Sequence, residues 1–422
     1  MNKYVGKNVI VSGWVQDIRL IGGINFLLLR DKEGIAQITV LKKAASKKIL
    51  DILQKTHQED VILVKGRVVK SKIAKAGLEL IPSDIEIISK AEVPLPLDPR
   101  NIVQTNLDTR LDQRFLDLRT QESQAIFRIQ SQIIKAFRDF LISRNYIEIQ
   151  PPVIISSASE GGAELFKIPY FEKHAFLAQS PQLYKQMCAL AFEKVFMVVP
   201  VFRAEKFDQP THLNELRQMD IEQAFADDEE VMKVLEECFV YILKEVERKC
   251  KNELNYLKQD IKIPRLPLKR ITYTQAVDFL KRRGKKIEWG EDFSKTQEKL
   301  LLDLAKEDAF FIIEWPTKSK AFYAMPCEKN PEVCKAFDLI YNGLEIASGT
   351  QRIHSPELLI KQIKAKGLNP DDFKFYINTF RYGSPQHSGW SIGLERITMK
   401  ITGRSNIREC CLFPRDRTRI TP

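Results

Sequence analysis

The chain has 422 residues, 44% hydrophobic and 29% charged, the balance of a soluble globular protein of two or three domains. Lysine and arginine number 66 against 55 aspartate and glutamate; the resulting formal charge of +11 suits a polyanionic partner, although a basic surface kept for solubility gives the same balance. No run approaches the roughly 18 to 20 continuous apolar residues that a membrane-spanning helix needs. The opening MNKYVGKNVIVSGW has no apolar signal block, and the seven cysteines form no CxxC pair. The chain therefore reads as cytoplasmic, with reduced thiols and no membrane partner.

Residues 1–90 predict five short strands at Val9–Val11, Asn25–Leu29, Ile35–Val40, Val61–Val69 and Leu78–Ile88, all rich in β-branched and apolar residues. Gly22-Gly23 and Asp31-Lys32-Glu33-Gly34 mark turns, and a helical stretch, Ala44–Gln54, falls between the third and fourth strands. Five strands with a helix after the third is the order of an OB-fold β-barrel, which binds oligonucleotides across one face; other small barrels share the pattern. Residues 91–120 read as a hinge, where Pro94, Pro96 and Pro99 precede the charged run Asp108–Arg119. From Ser123, the residues Ile126, Ile129, Ile133, Phe137, Phe140 and Leu141 recur at helical spacing. A strand at Ile147–Ile149 then runs into Pro151-Pro152. Further on, strands mix with amphipathic helices at 229–250, 356–366 and 371–380, giving an α+β class, with a helical insertion expected at about 245–330.

Four segments carry chemistry. Along Val198–Glu222 a strand ends in Phe202-Arg203-Ala204-Glu205, so Arg203 and Glu205 point the same way. A guanidinium suits phosphate and a carboxylate suits an amino group, though a surface ion pair would look the same. Asn342-Gly343 between two apolar runs signals a tight hairpin that sets Asp338 on the face of Glu345. Two such acids repel unless a cation lies between them; Mg²⁺ is the natural candidate, although a merely solvated face would look the same. Regular alternation sends Arg352 to the opposite face, so a bend is expected at Ser348-Gly349-Thr350 if both serve one site. Gly389–Thr402 is a glycine-punctuated strand entering a helix, with Arg396 in the first turn. In Gln179–Gln186, Ser180 suits an N-cap and Pro181 the first helical position, placing Gln182 and Lys185 on one face.

Together and in this order, these segments resemble the class II aminoacyl-tRNA synthetases. The helix and strand ending at Pro152 resemble motif 1, the family's dimer interface; FRAE at 202–205 resembles motif 2 and GLER at 393–396 motif 3. The segments LDTRLDQRFLDLR, SEGGAELF, AQSPQLYKQ, GTQRIH and NIRECCLFPRDRTRITP resemble the aspartyl branch in its archaeal and eukaryotic form. The resemblance implies a catalytic domain over 121–422, an antiparallel sheet flanked by helices. It implies activation of L-aspartate by ATP with Mg²⁺, transfer to tRNA(Asp), and a homodimer. It assigns Arg203 and Arg396 to catalysis, and Glu164, Gln182, Lys185, Ser348 and Arg352 to aspartate. ATP would meet Arg203, Glu205, Thr211, His212, Leu213, Glu345, Gly393, Leu394, Glu395 and Arg396, and Mg²⁺ would meet Asp338, Glu345 and Ser348. In the barrel, Arg19, Phe26 and Gln37 match anticodon-reading positions, and Gln16 and Asp84 match positions involved in the choice between tRNA(Asp) and tRNA(Asn).

Two departures stand out: Thr211 where relatives usually have arginine, and Leu216 where many stack adenine on an aromatic ring. The nearest rival is an asparaginyl-tRNA synthetase. Lys185 and Asp416 in FPRDR favour aspartate, because a neutral amide leaves a buried cation unpaired. An asparagine synthetase on the same catalytic fold would lack the barrel. A non-enzymatic RNA-binding paralogue has no need of Arg203, Glu205, Asp338, Glu345, Arg352 and Arg396. A non-discriminating enzyme that also charges tRNA(Asn) stays open.

Overall fold

The structure is a computed structural model that describes residues 4–74, 76–156, 165–206 and 209–422. Its contacts divide the chain into two units, Met1–Gln121 and Glu122–Pro422. In the first, β1 (Asn8–Ile21), β2 (Ile24–Arg30), β3 (Ile35–Leu41), β4 (Val61–Lys70) and β5 (Leu78–Ser89) close a barrel in the order β1-β2-β3-β5-β4. Helix α1 (Lys47–Gln54) follows β3, its first turn capped by the Ser46 hydroxyl accepting from the Ile49 N–H. Alternate positions, among them Leu27, Leu29, Ile38, Val40, Ile62 and Val64, fill the barrel core, which is why the period-two pattern was readable. Strand β1 is longer than predicted because it serves two neighbours, pairing with β4 over Asn8–Trp14 and with β2 over Trp14–Ile21, with a bulge at Gln16.

The second unit is built on eight strands: β6 (Ile147–Glu148), β10 (Lys194–Phe202), β11 (Glu215–Ala224), β12 (Lys269–Thr272), β13 (Ala309–Pro316), β14 (Val333–Tyr341), β15 (Leu344–Gln351) and β16 (His387–Gly393). Their order is β12-β13-β14-β15-β16-β11-β10-β6, antiparallel except where β12 meets β13 and β6 meets β10. A separate small sheet holds β7 (Ile154–Ile155), β8 (Lys167–Tyr170) and β9 (Lys173–Leu177). The β14–β15 hairpin turns on Asn342 and Gly343, whose φ values of 48° and 71° fit the mirror-image turn that Asn-Gly favours.

One face of the large sheet is apolar. Met219, Ile221, Phe337, Leu339, Trp390 and Ile392 pack there with α2 (Gln121–Ile142) and the helix Asp228–Lys249. Burying each such side chain is worth about 1.5–3 kcal/mol. The α2 residues Ile126, Ile129, Ile133, Phe137, Phe140 and Leu141 are all spent in this core, so they do not face a partner subunit as the motif 1 resemblance suggested. Residues 245–330 are mixed rather than helical: they hold β12 and β13, which extend the sheet, along with the helices Tyr273–Arg282 and Lys295–Ala305. Helix α3 (Gln182–Phe192) lies on the opposite, polar face; it starts one residue later than predicted, with Pro181 at the N-cap. Among the described residues no helix is long and apolar enough to cross a membrane.

Candidate active site

The polar face is organised as rows of cross-strand partners, which share a face by sheet geometry. Asp338, Ser348, Ser391 and Asp220 are successive partners across β14, β15, β16 and β11. The next row runs Thr350, Gly389 and Glu222. The bend expected at Ser348–Thr350 lies earlier: Ile340 faces Glu345 while Leu339 faces Ala347, leaving Ile346 as the extra residue. That bulge returns Glu345 to the face of Ser348 and Arg352, and pairing through Ser348–Thr350 is regular.

One half of this face is a cleft lined by Arg203, Glu205, Thr211, His212, Leu213, Leu216, Glu345, Ser348, Gly393, Glu395 and Arg396, among others. Nη1 of Arg396 donates to the Glu345 carbonyl at 3.3 Å and to its carboxylate at 3.4 Å. Burial pulls the Glu345 carboxyl upward, but Arg396, Lys320, Lys295 and Arg203 outweigh it and hold the group below its ordinary value. Burial lowers His212, and Arg396 lowers it further, so its ring is neutral near pH 7; Glu205 lies 3.9 Å away. Thr211, in place of the family's arginine, sets its hydroxyl 3.1 Å from His212 Nδ1, a contact that orients the ring. Two expected ATP residues differ in environment. Leu394 is buried in the apolar core on the other side of the sheet, because the helix Leu394–Ile401 turns its first side chain inward. Both Glu395 oxygens accept from the Arg217 N–H at 3.1 Å, and burial raises the carboxyl to about 7.

Asp338 is buried, with one oxygen held by Lys320 Nζ at 2.8 Å and the other, Oδ1, buried without a hydrogen-bond partner. Burial raises its carboxyl to about 6 against the pull of Lys320. Among the described residues no cluster of three or more acids, histidines or cysteines could hold a metal unaided. Mg²⁺ typically takes one or two carboxylates and completes its shell with phosphates and water, so Asp338 with its orphaned oxygen, Glu345 and Ser348 fit that ion.

The other half is a buried ion cluster. Arg352 donates from Nε and Nη2 to the two oxygens of Glu222 at 2.9 and 3.0 Å, leaving Nη1 outside the pair. Lys185 donates to Asp220 at 2.7 Å and lies 3.6 Å from Glu222. It is only 2% exposed, so the simple picture of a free cation awaiting a carboxylate needs revising: the lysine is already paired. Ser391 donates to the other Asp220 oxygen at 3.1 Å and also lines the cleft, which joins the two halves. Gln182 is buried beside them, while Glu164 lies outside the described residues. Asp220, Glu222, Ser391 and Lys320 escaped the sequence reading. The signal available was two acids spaced by two in the strand MDIEQA, which equally describes a wet sheet face.

On the barrel, Arg19 and Thr39 are the register partners of Phe26, and Gln37 partners Leu28 one row away, so Arg19, Phe26 and Gln37 share the outer face. Phe26 is half-buried and outside the core, whose β2 members are Leu27 and Leu29. The Gln37 amide donates to Glu79 at 3.2 Å. Gln16 sits in the β1 bulge with its Oε1 buried and unpaired, and Asp84 is paired to Lys48 at 2.7 Å.

A largely antiparallel sheet with arginines on one polar cleft, preceded in the sequence by a closed five-stranded barrel, is the arrangement of a class II synthetase. Residues 106–417 match the family of class II tRNA synthetases (D, K and N), and residues 9–88 match the OB-fold nucleic acid binding domain. A relative from Archaeoglobus fulgidus, an aspartate–tRNA(Asp/Asn) ligase, is 48% identical over 99% of this chain and 97% of its own. An aspartate–tRNA(Asp) ligase of Pyrococcus horikoshii is 48% identical with the same shares covered. The crystal structure of asparaginyl-tRNA synthetase from Pyrococcus horikoshii complexed with asparaginyl-adenylate superposes with a TM-score of 0.96 at 33% identity, over 100% of this chain and 97% of that one. The chain belongs to the class II (D, K and N) synthetases, as an aspartyl-tRNA synthetase of the archaeal type.

Proposed function

We propose that the cleft and the ion cluster together activate L-aspartate with ATP and pass it to tRNA(Asp). The observation that carries this reading is the row Asp338–Ser348–Ser391–Asp220, which joins a phosphate-suited cleft to a carboxylate-suited cluster on one rigid sheet. ATP lies in the cleft, with Arg203 and Arg396 on its phosphates and Glu205, neutral His212, Thr211 and Leu213 around the rest. Gly393 and the N-terminus of its helix favour the anion, and Glu395 braces Arg217 beneath it. Asp338, Glu345 and Ser348 would hold Mg²⁺, which would supply charge neutralisation at the phosphates.

Aspartate lies over the ion cluster. Its side-chain carboxylate accepts from Arg352 Nη1 and Lys185, while Gln182, Ser348, Asp220 and Glu164 hold the rest. A carboxylate accepts from both cations, whereas an amide turns its own NH₂ toward one of them, so aspartate is preferred over asparagine. The substrate α-carboxylate attacks the α-phosphorus of ATP, the bridging P–O bond breaks and pyrophosphate leaves. The arginines hold the two anions in line, so the gain is chiefly proximity and charge stabilisation. The terminal ribose hydroxyl of tRNA then attacks the adenylate carbonyl, releasing AMP and a proton.

Arg19, Phe26 and Gln37 read the anticodon on the barrel, residues 91–120 act as the hinge, and residues 121–422 form the catalytic domain. The enzyme works in the cytoplasm, which suits its free cysteines. It dimerises through 124–152, using the sheet-edge strand β6 and the exposed Ile142 and Ile147 rather than the buried stripe of α2. ATP–pyrophosphate exchange tests the activation step: turnover with aspartate and not asparagine is expected, and none with aspartate overturns the reading. A second reading, charging of tRNA(Asn) as well, draws on the Archaeoglobus relative, an aspartate–tRNA(Asp/Asn) ligase; Gln16 and Asp84 are the positions where that choice would be made. Charging assays with each purified tRNA separate the two.

A further inference from the structure

We propose that His387 is a positioning residue for amino-acid binding, its tautomer dictating, through Gln186, which end of the Gln182 amide meets the substrate ammonium group. The proposal rests on the reading that Gln182 contacts aspartate. Fully buried on β16, His387 has its ring stacked on Phe380 at 5.7 Å between centroids and 11° between planes. Its Nδ1 lies 2.9 Å from the Pro385 carbonyl. A carbonyl only accepts, so Nδ1 carries the proton. Burial also disfavours a second proton, against the opposing pull of Glu222, which leaves Nε2 as a lone pair.

From there each step is forced. Gln186 Nε2 is 2.8 Å from His387 Nε2 and must donate to it. Gln186 Oε1 then accepts from the Tyr376 hydroxyl at 2.7 Å and from Gln182 Nε2 at 2.7 Å. Gln182 consequently turns its NH₂ inward, and its Oε1 accepts no hydrogen bond from the described residues. A carbonyl oxygen attracts an ammonium group, whereas an NH₂ in that place would repel it. Flipping Gln186 sets its oxygen against the His387 lone pair and its NH₂ against that of Gln182, and flipping Gln182 sets carbonyl oxygen against carbonyl oxygen, so one carbonyl at Pro385 orients an amide three contacts away.

The test uses a ligand that differs from aspartate only at that group. Succinate keeps both carboxylates and lacks the ammonium. Aspartate KM and succinate Ki are measured in ATP–pyrophosphate exchange for the wild type, His387→Phe, which keeps the stack without the acceptor, and His387→Gln, which restores an acceptor. In His387→Phe the aspartate KM should rise about tenfold or more, the size of a hydrogen bond to a charged group. Succinate Ki, kcat and the KM for ATP should stay near wild type, and His387→Gln should recover most of the loss. Equal weakening of aspartate and succinate would mean that His387 only packs, and overturns the proposal. If His387→Phe does not fold, Gln186→Met breaks the chain one bond nearer and carries the same expectation and the same overturning result. Gln182→Ala separates the two readings. If it leaves the aspartate-to-succinate ratio unchanged, Gln182 does not hold the ammonium; if it moves the ratio and His387→Phe does not, the relay alone fails.

Discussion

Glu222 accepts both near-parallel bonds of the Arg352 fork, at 2.9 and 3.0 Å, in a position where neither side chain is more than 3% exposed. An arginine held this way cannot swing to meet a ligand; it presents Nη1 at a fixed place. The opposing position on β16 is glycine for the same reason, since a Cβ on Gly389 would come 2.2 Å from the Glu222 carboxylate.

Gly389→Ala should therefore displace Glu222 and, with it, Arg352. Misplacing a binding group by about an ångström costs on the order of 100-fold in rate. Aspartate-dependent exchange should fall by about that factor, with a smaller change in ATP affinity measured by equilibrium dialysis. Retained exchange would show that the cluster relaxes around the methyl group and that Arg352 is not held by this contact.

Lys185 neutralises two buried acids and, on the proposed function, also meets the substrate side chain, so its removal has two separable effects. Lys185→Met leaves Asp220 and Glu222 with one cation between them and should destabilise the fold by about 3–5 kcal/mol, the cost of breaking a buried pair. Adding Asp220→Asn removes the uncompensated charge and should restore much of that loss in urea unfolding. Aspartate activation should stay defective in both. Recovery of activity along with stability would make Lys185 a structural counter-ion and no part of substrate selection.

Glu395 makes a prediction about pH. Its folded carboxyl titrates at about 7 because burial raises it from 4.5, the Arg217 N–H only partly compensating. Between those values the folded state holds a proton that the unfolded state has lost, so stability falls as pH rises through this window. The span of 2.5 pH units corresponds to a stability loss of about 3 kcal/mol, absent below pH 4.5 and complete above pH 7. Glu395→Gln keeps an oxygen for the Arg217 N–H and cannot ionise. The ligand-free variant should melt higher than the wild type at pH 8 and close to it at pH 5. A constant difference between the two pH values would show that Glu395 is not the titrating group.

Much of this arrangement was legible in the sequence, and the parts that were not have physical causes. Asn342-Gly343 could be placed because few residue pairs tolerate positive φ twice in succession. The register that follows put Asp338 with Glu345 correctly, but a bulge at Ile346 carries no compositional signal, so its site was misplaced by a few residues. The period of α2 announced an apolar face without saying what covers it, and the protein's own sheet turned out to do so. Lys185 was visible as a cation on a helix. Its burial was not, because that depends on Asp220 and Glu222 arriving from a strand whose acids look like a solvated edge.

The barrel offers the clearest separation of binding from chemistry. Phe26 lies on the outer face of β2, flanked across the strands by Arg19 and Thr39, with Gln37 one row further along. Splayed bases stack on such rings and are read at their edges by neighbouring polar groups. The Gln37 NH₂ is already committed to Glu79, so its carbonyl is the end left for a base, and an acceptor there selects bases that present a donor. Stacking on one ring is worth roughly 1–3 kcal/mol. Phe26→Ala should then lower tRNA(Asp) charging by about one to two orders of magnitude, through kcat/KM for tRNA, while aspartate-dependent exchange without tRNA stays at the wild-type level. Because Phe26 is outside the barrel core, the melting temperature should change little. Parallel loss of charging and exchange would instead mark a folding defect, and unchanged charging would remove Phe26 from the anticodon site.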